Sequence, residues 1–408
     1  MQLAMEQMEV ITRKYYADKV EAWLGKQTVI VMVGQRRVGK SFILKDFVNR
    51  HTDDTDTNII YIDKEKRKFK FITDANQLER YIDQQFQEDK HNYILIDEVQ
   101  DINGWEHVVR SLRTETNTDI IVTGSNSRML SSELSTLLSG RYVEILVQSL
   151  SYREFLQFHH LPDDDASLMH YLDYGGMPGL RVVGLNDDEQ VWEYLRNIFN
   201  TVILKDVIER HNIRNITFMN NLIGFLADTT GKVCSASSIS KYMRSQEQSI
   251  STNIILDYLS FFAEAYLLNS VRRYDIHGKR MFESNQKVYF GDVGLRNLIA
   301  GGSREQDIEK VIESVIYQHL LRLGYQVFVG ELKVGEIDFV CRKPGAVKYV
   351  QAAYLIGDEE TRKREFGRLQ DFKDNYPKYV ISMTPLVAAR DYEGITHLGL
   401  REFLNNGI

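Results

Sequence analysis

"TVIVMVGQRRVGKSFILKDFVNR", residues 28–50, decides the fold of this 408-residue chain. A short apolar run leads directly into Gly34, and Gly39, Lys40 and Ser41 complete the spacing G-x-x-x-x-G-K-S just before a helical pattern. A loop of this kind turns its backbone N–H groups toward phosphates at a helix N-terminus, where the helix dipole also favours negative charge. Gly34, Gln35, Arg36, Arg37, Val38, Gly39, Lys40, Ser41 and Phe42 are the expected cradle for a nucleotide. Lys40 would reach the terminal phosphates and the Ser41 hydroxyl would ligate Mg2+. A chance glycine-containing turn is the structural alternative, and the strand before it and the helix after it weigh against that.

Four further apolar runs lie beyond this loop: "NIIYID" (58–63), "NYILID" (92–97), "DIIVTG" (119–124) and "YVEILV" (142–147). With the helical patterns between them they predict an α/β fold around a parallel sheet covered on both faces. The third strand ends in "YILIDEVQ", which offers Asp97 to Mg2+ through water and Glu98 as the base that orients and deprotonates an attacking water. The strand ending "VTGSNSR" has a polar tip, and either Ser125 or Asn126 would feel the γ-phosphate there. Arg141 in "LLSGRYVEI" is expected to stabilise charge, in its own subunit or in a neighbour's site, with a surface ion pair as its structural alternative. Arg128 is a weaker competitor for that role. An acid–glutamate pair followed by a polar-tipped strand marks the additional-strand type of ATPase. "NTDI" is not the guanine-reading N-K-x-D, so the expected nucleotide is ATP and not GTP.

Bulk properties bound the rest. The length suggests two or three domains, and 43% hydrophobic with 26% charged residues describes a folded chain and not a disordered one. A formal charge of −7 argues against a globally basic DNA-coating protein. Cys234 and Cys341 have no metal-ligand spacing and suit reduced thiols. No apolar run approaches about 18 residues and the N-terminus has no signal-peptide core, so the expectation is a cytoplasmic protein without membrane contact. The expected domains are 1–150 for the ATPase, 151–300 for a helical region with a winged helix, and 301–408 for a C-terminal α/β part. The winged outline comes from a Ser235-capped helix, the helix "STNIILDYLSFFAEA", and strands at 266–273 and 280–290 around "DIHG".

The ordered set "GQRRVGKS", "YILIDEVQ", "IVTGSNS", "LLSGRY", "SLSYREF", "YGGMPG", "KVYFGDVGLRN" and "GEIDFV…YVQAAY" resembles one family. These are bacterial and archaeal AAA-type ATPases whose core is followed by a winged helix and a C-terminal restriction-endonuclease-like domain. The resemblance implies that three-part architecture and binding of Mg2+ and ATP. In "SLSYREF" the residues themselves read as a helix start, with Ser151 and Glu154 at capping-box positions, and Asp292 likewise reads as a cap.

In the restriction-enzyme fold a helix acid, a strand acid and a second acid followed two residues later by lysine gather Mg2+ and activate water. Here Glu313 fits the helix acid and Asp338 the strand acid, but the last triplet is Gln351-Ala352-Ala353, without an amine. The leading expectation is an inactive remnant. The others are a nuclease that recruits a lysine from elsewhere, with Lys333 and Lys348 nearest in sequence, and a coincidence of fold. DNA binding by the winged helix is open against protein docking. No lysine or arginine lies between Arg244 and Arg272, while the wing carries Arg272, Arg273, Lys279 and Arg280. Homo-oligomerisation follows if Arg141 works across an interface. The expected function is Mg2+-dependent ATP hydrolysis driving a switch or scaffold, linked to DNA or to protein partners. The alternatives are an ATP-dependent DNA- or protein-binding module with negligible turnover, and an ATP-controlled nuclease.

Overall fold

A computed structural model describes residues 10–127, 138, 140–246, 250–301, 304–333, 335–372, 374–386 and 390–408. The chain divides into two compact units, one formed by residues 1–148 and 264–266, the other by 149–263 and 267–408.

The first unit alternates helices and strands: α1 (Lys14–Glu21), β1 (Val29–Val33), α2 (Lys40–His51), β2 (Thr57–Asp63), α3 (Ala75–Gln85), β3 (His91–Asp97), α4 (Trp105–Leu112), β4 (Thr118–Gly124) and β5 (Tyr142–Leu146). All five strands are parallel in the order β2-β3-β4-β1-β5. Every residue of β1 and β4 is buried, as a strand covered on both faces requires. Val29, Val31, Val33, Ile94, Ile96, Ile120 and Val122 share one core with Leu78 and Ile82 of α3 and Trp105 and Val109 of α4. β4 lies between β1 and β3, so the segment after β4 emerges between the phosphate loop and the Asp97–Glu98 pair.

The second unit begins with a helical region: α5 (Tyr152–His159), α6 (Asp165–Tyr174), α7 (Leu180–Val183) and α8 (Asp188–Val202), which runs into a π-helical segment over Ile203–Glu209. Then come α9 (Ile216–Asp228), β6 (Val233–Cys234), α10 (Ala236–Ser245), α11 (Thr252–Glu264), β7 (Leu268–Asp275), β8 (Arg280–Phe290) and α12 (Val293–Ile299). The caps follow the sequence: Ser151 and Glu154 form a capping box, Ser235 caps α10, and Asp292 accepts from the N–H groups of Gly294 and Leu295. Asp292 also accepts from Gly176 N at 2.9 Å, so the glycine loop and the start of α12 are tied through one buried carboxylate.

The last elements are α13 (Arg304–Arg322), β9 (Gln326–Glu331), β10 (Glu336–Lys343), β11 (Ala346–Ala353), α14 (Glu359–Gln370), β12 (Lys378–Ser382), β13 (Arg390–Tyr392), β14 (Ile395–Gly399) and α15 (Leu400–Asn406). β9, β10 and β11 form an antiparallel meander, and β12 and β14 continue it in parallel. The expected separation at residue 300 is not one of sheets. β7 pairs in parallel with β9, with Arg273 opposite Val329 and Asp275 opposite Glu331, so the ribbon and the C-terminal strands make one nine-stranded sheet. Among the described residues no helix is long and apolar enough to cross a membrane.

Candidate functional site

The phosphate loop is fixed by backbone demands that few residues meet. Gly34 has φ +149°, and a Cβ there would stand 2.1 Å from the carbonyl oxygen of Val147. Gly39, at φ +98°, is the N-cap of α2. Both conformations are open to glycine at low cost. Arg13 braces the loop from outside, donating from Nη1 to the carbonyls of Val38 at 2.9 Å and Gln148 at 3.0 Å. Lys40 is buried and its Nζ donates to the carbonyls of Gly34 at 2.9 Å and Gln35 at 3.1 Å. Ser41 and Phe42 follow in the first turn of α2, Val38 is buried, and Arg37 is exposed at φ +70°. Gln35 is buried, with no hydrogen-bond partner for its Nε2.

The sheet order carries the acids to this loop. Thr123, near the end of β4, donates to Asp97 Oδ1 at 2.5 Å and accepts from Glu98 N at 2.9 Å. Asp97 is 1% exposed. Burial raises its pKa to about 6, against the lowering influence of the Thr123 and Ser41 hydroxyls. Its Oδ2 is a buried oxygen with no hydrogen-bond partner. A buried hard oxygen beside a serine hydroxyl suits Mg2+, which keeps several waters and takes one or two protein ligands. Ser41 and Asp97 are the residues that would hold it. When bound, the ion would neutralise charge on phosphate oxygens.

Glu98 is strained, with φ +55°, and 7% exposed. Burial pushes its pKa up, but the Lys40 ammonium and the Arg36 guanidinium outweigh this and hold it below the usual value. Gln100 Nε2 donates to Glu98 Oε2. Ser125 and Asn126, after β4, are both buried, and Arg36 Nη2 donates to Ser125 Oγ at 3.4 Å. Lys40, Ser41, Asp97, Glu98 and Ser125 are therefore brought together.

Arg141 is not brought there by its own chain. Its carbonyl accepts from Val29 N at 3.2 Å, which places it at the start of β1, and its side chain is exposed. The loop leaves the other end of β1, roughly 15 Å away at strand rise per residue. In a parallel sheet the residue before β5 cannot lie at the end used by the residues after β1. The role expected of Arg141 within its own subunit is thus corrected. Arg128 lies outside the described residues.

A second constellation lies in the other unit. Lys287 of β8 is 1% exposed, and its Nζ lies 2.9 Å from Glu313 Oε1, 2.9 Å from Glu336 Oε1 and 3.5 Å from Asp338 Oδ1. Tyr289 OH donates to Glu313 Oε1 at 2.5 Å, and Ala352 N to Asp338 Oδ2 at 2.9 Å. Gln351 Oε1 accepts from Asp338 N at 3.4 Å while its Nε2 donates to Glu365 Oε2 at 3.2 Å. Burial, then Glu313, raise the pKa of Asp338 to about 7. Burial lowers that of Lys287, but Glu313, Asp338 and Glu336 more than reverse this.

Glu313, Asp338 and Gln351 do converge, but around a lysine that sequence proximity did not suggest. Lys348 donates to the Ile408 carbonyl at 2.8 Å and Lys333 is exposed, so neither takes that place. In β8 Lys287 and Tyr289 share one face and the apolar Val288 and Phe290 the other, so the alternation alone gave no signal that Lys287 is buried. Among the described residues, no three of His, Cys, Asp and Glu are grouped to hold a metal ion.

An AAA domain family (AAA_14) matches residues 26–156, and a domain of unknown function (DUF8612) matches residues 165–306. An "Uncharacterized protein" of Haemophilus influenzae is 34% identical over 381 residues, covering 91% of this chain and 93% of its own length. A Methanocaldococcus jannaschii protein is 26% identical, covering 89% and 83%. Among solved structures, a Walker-type ATPase of Pyrococcus abyssi aligns with 71% of this chain and 96% of its own, at 14% identity and a TM-score of 0.49. The chain carries an AAA-type P-loop domain and belongs to the same family as the Haemophilus influenzae protein.

Proposed function

We propose that the chain is an Mg2+-dependent ATPase whose nucleotide state acts as a switch for a second unit built from a winged helix and a degenerate nuclease-like module. One observation carries this reading: Lys40, Ser41, Asp97, Glu98 and Ser125 stand together after the ends of β1, β3 and β4. Lys40 would leave two neutral carbonyls for phosphate oxygens, and backbone N–H groups of the loop would bind the rest. Glu98, kept ionised at neutral pH, would orient a water and accept its proton. Loops carrying Glu98 and Ser125 would differ between ATP and ADP because only ATP places a γ-phosphate beside them.

The order α9, β6, α10, α11, β7, β8, with β6 and β7 both paired to β8, supports the winged-helix reading. Its α11 brings no lysine or arginine and exposes Ile254 and Leu256, so a DNA contact would rest on the ribbon. Arg273 of that ribbon is already paired with Glu331 at 2.6 Å. These features favour a protein partner for α11. The nuclease-like cluster is read as inactive because its ammonium stands among its own carboxylates, where a metal would have to bind.

Turnover of MgATP by wild type and Glu98→Gln tests the core of this reading. The variant should bind MgATP with unchanged affinity and lose hydrolysis by about 100-fold or more. Equal turnover in both would remove Glu98 as the base. Cleavage of DNA in Mg2+ or Mn2+ that disappears in Asp338→Ala would instead establish the ATP-controlled nuclease.

A further inference from the structure

We infer that Arg36, the third residue of the phosphate loop, is the arginine that serves the γ-phosphate position from within its own chain. The inference rests on the ATPase reading above and adds to it the residue that stabilises charge.

Position and contact both point there. Arg36 lies between Gly34 and Gly39, and its Nη2 donates to Ser125 Oγ at 3.4 Å, on the polar tip of the strand inserted between the loop strand and the acid strand. Lys40, the Ser125 hydroxyl and the Arg36 guanidinium all act on the one Glu98 carboxylate, so the four groups border one space. That space is where a γ-phosphate and its attacking water must meet if Lys40 and Glu98 are to do their work.

Two other arginines of this unit are placed differently. Arg13 spends Nη1 on two loop carbonyls, and Arg141 stands at the far end of β1. Lys40 is a single point charge shared between phosphates, whereas a planar guanidinium presents paired donors that match two oxygens of one phosphoryl group. Arg36 is only partly buried, so it can exchange its serine contact for phosphate oxygens at small cost. A consequence follows for assembly: turnover per chain needs no arginine from a second copy.

The test uses the full-length chain with Arg36→Ala, Arg36→Lys and Arg141→Ala, followed by MgATP turnover, affinity for a fluorescent ATP analogue, and affinity for ADP with aluminium fluoride. Arg36→Ala should lower kcat by about 100-fold or more, in line with what arginines contribute to phosphoryl transfer, while ATP affinity changes by about threefold or less. Binding of ADP with aluminium fluoride should weaken in step with kcat. Millimolar guanidinium should restore part of the lost rate in Arg36→Ala, which a purely structural role would not allow. Arg141→Ala should stay within about twofold of wild type, and specific activity should not rise with protein concentration.

A kcat for Arg36→Ala near wild type, or a loss confined to ATP affinity, overturns the assignment. So does a 100-fold loss in Arg141→Ala. The two readings fail separately: if Glu98→Gln stops turnover and Arg36→Ala does not, only the arginine is wrong. If Glu98→Gln turns over like wild type, the site reading itself has gone.

Discussion

Lys40 and Lys287 are both buried, at 4% and 1% exposure, and their surroundings differ in one respect. Lys40 donates to two neutral carbonyls and shares its charge with a single carboxylate, Glu98, so it can still gain from an anionic ligand. Lys287 is held by Glu313, Glu336 and Asp338, and its charge is consumed inside the protein. A buried ammonium on carbonyls is a binding device, because it gains most when phosphate arrives. A buried ammonium on carboxylates is a structural centre, because removing either partner strands the other.

Substituting each lysine by methionine separates the two roles. Lys40→Met should weaken MgATP binding by more than about 100-fold, measured by calorimetry, with little change in thermal unfolding. Lys287→Met should leave MgATP affinity unchanged and destabilise the second unit by about 3–5 kcal/mol in denaturant unfolding. An ATP-binding defect in Lys287→Met, or a stability loss of that size in Lys40→Met, would erase the distinction.

Next in size is the support beneath the acids. Thr123→Val removes the donor to Asp97 and the acceptor for Glu98 N, and should lower kcat by about 10–100-fold with the fold intact. Rates equal to wild type would mean that the acids hold their places without it.

The smallest expected effect is a pH dependence of the second unit. Asp338 takes its proton at about pH 7 when folded, against an ordinary 3.8, so its contribution to stability is full below pH 4 and is lost as pH rises through 7. Its charged surroundings are Glu313, Glu336 and Lys287, with Tyr289 acting through Glu313. Asp338→Asn should flatten the fall in unfolding free energy between about pH 4 and pH 7. An unchanged slope would assign that proton to another member of the cluster.

Much of the first unit was legible because each of its signals is local. An apolar run before Gly34, a helix pattern after Ser41 and an acid pair closing an apolar run each state what they are within about ten residues. Caps at Ser151, Ser235 and Asp292 were readable for the same reason. Arg141 misled because its neighbours in sequence belong to the beginning of a strand, and which end of the sheet that strand shares with the loop is a matter of pairing. The final strands β13 and β14 went unread, being short and only partly apolar.

The sequence by itself determined the phosphate loop, the Asp97–Glu98 pair, the strand–helix alternation of the first unit, and the loss of a lysine after Gln351. Tertiary structure alone decided that Arg36 meets the polar strand tip, that Arg141 stands at the other end, and that the ribbon of β7 and β8 joins the C-terminal sheet. It also decided that Lys287 enters the cluster of Glu313 and Asp338. The physical reason is that backbone conformation and helix or strand period are fixed by nearby residues. Which charges meet depends on strand order and register, and these are set by packing across the whole sheet.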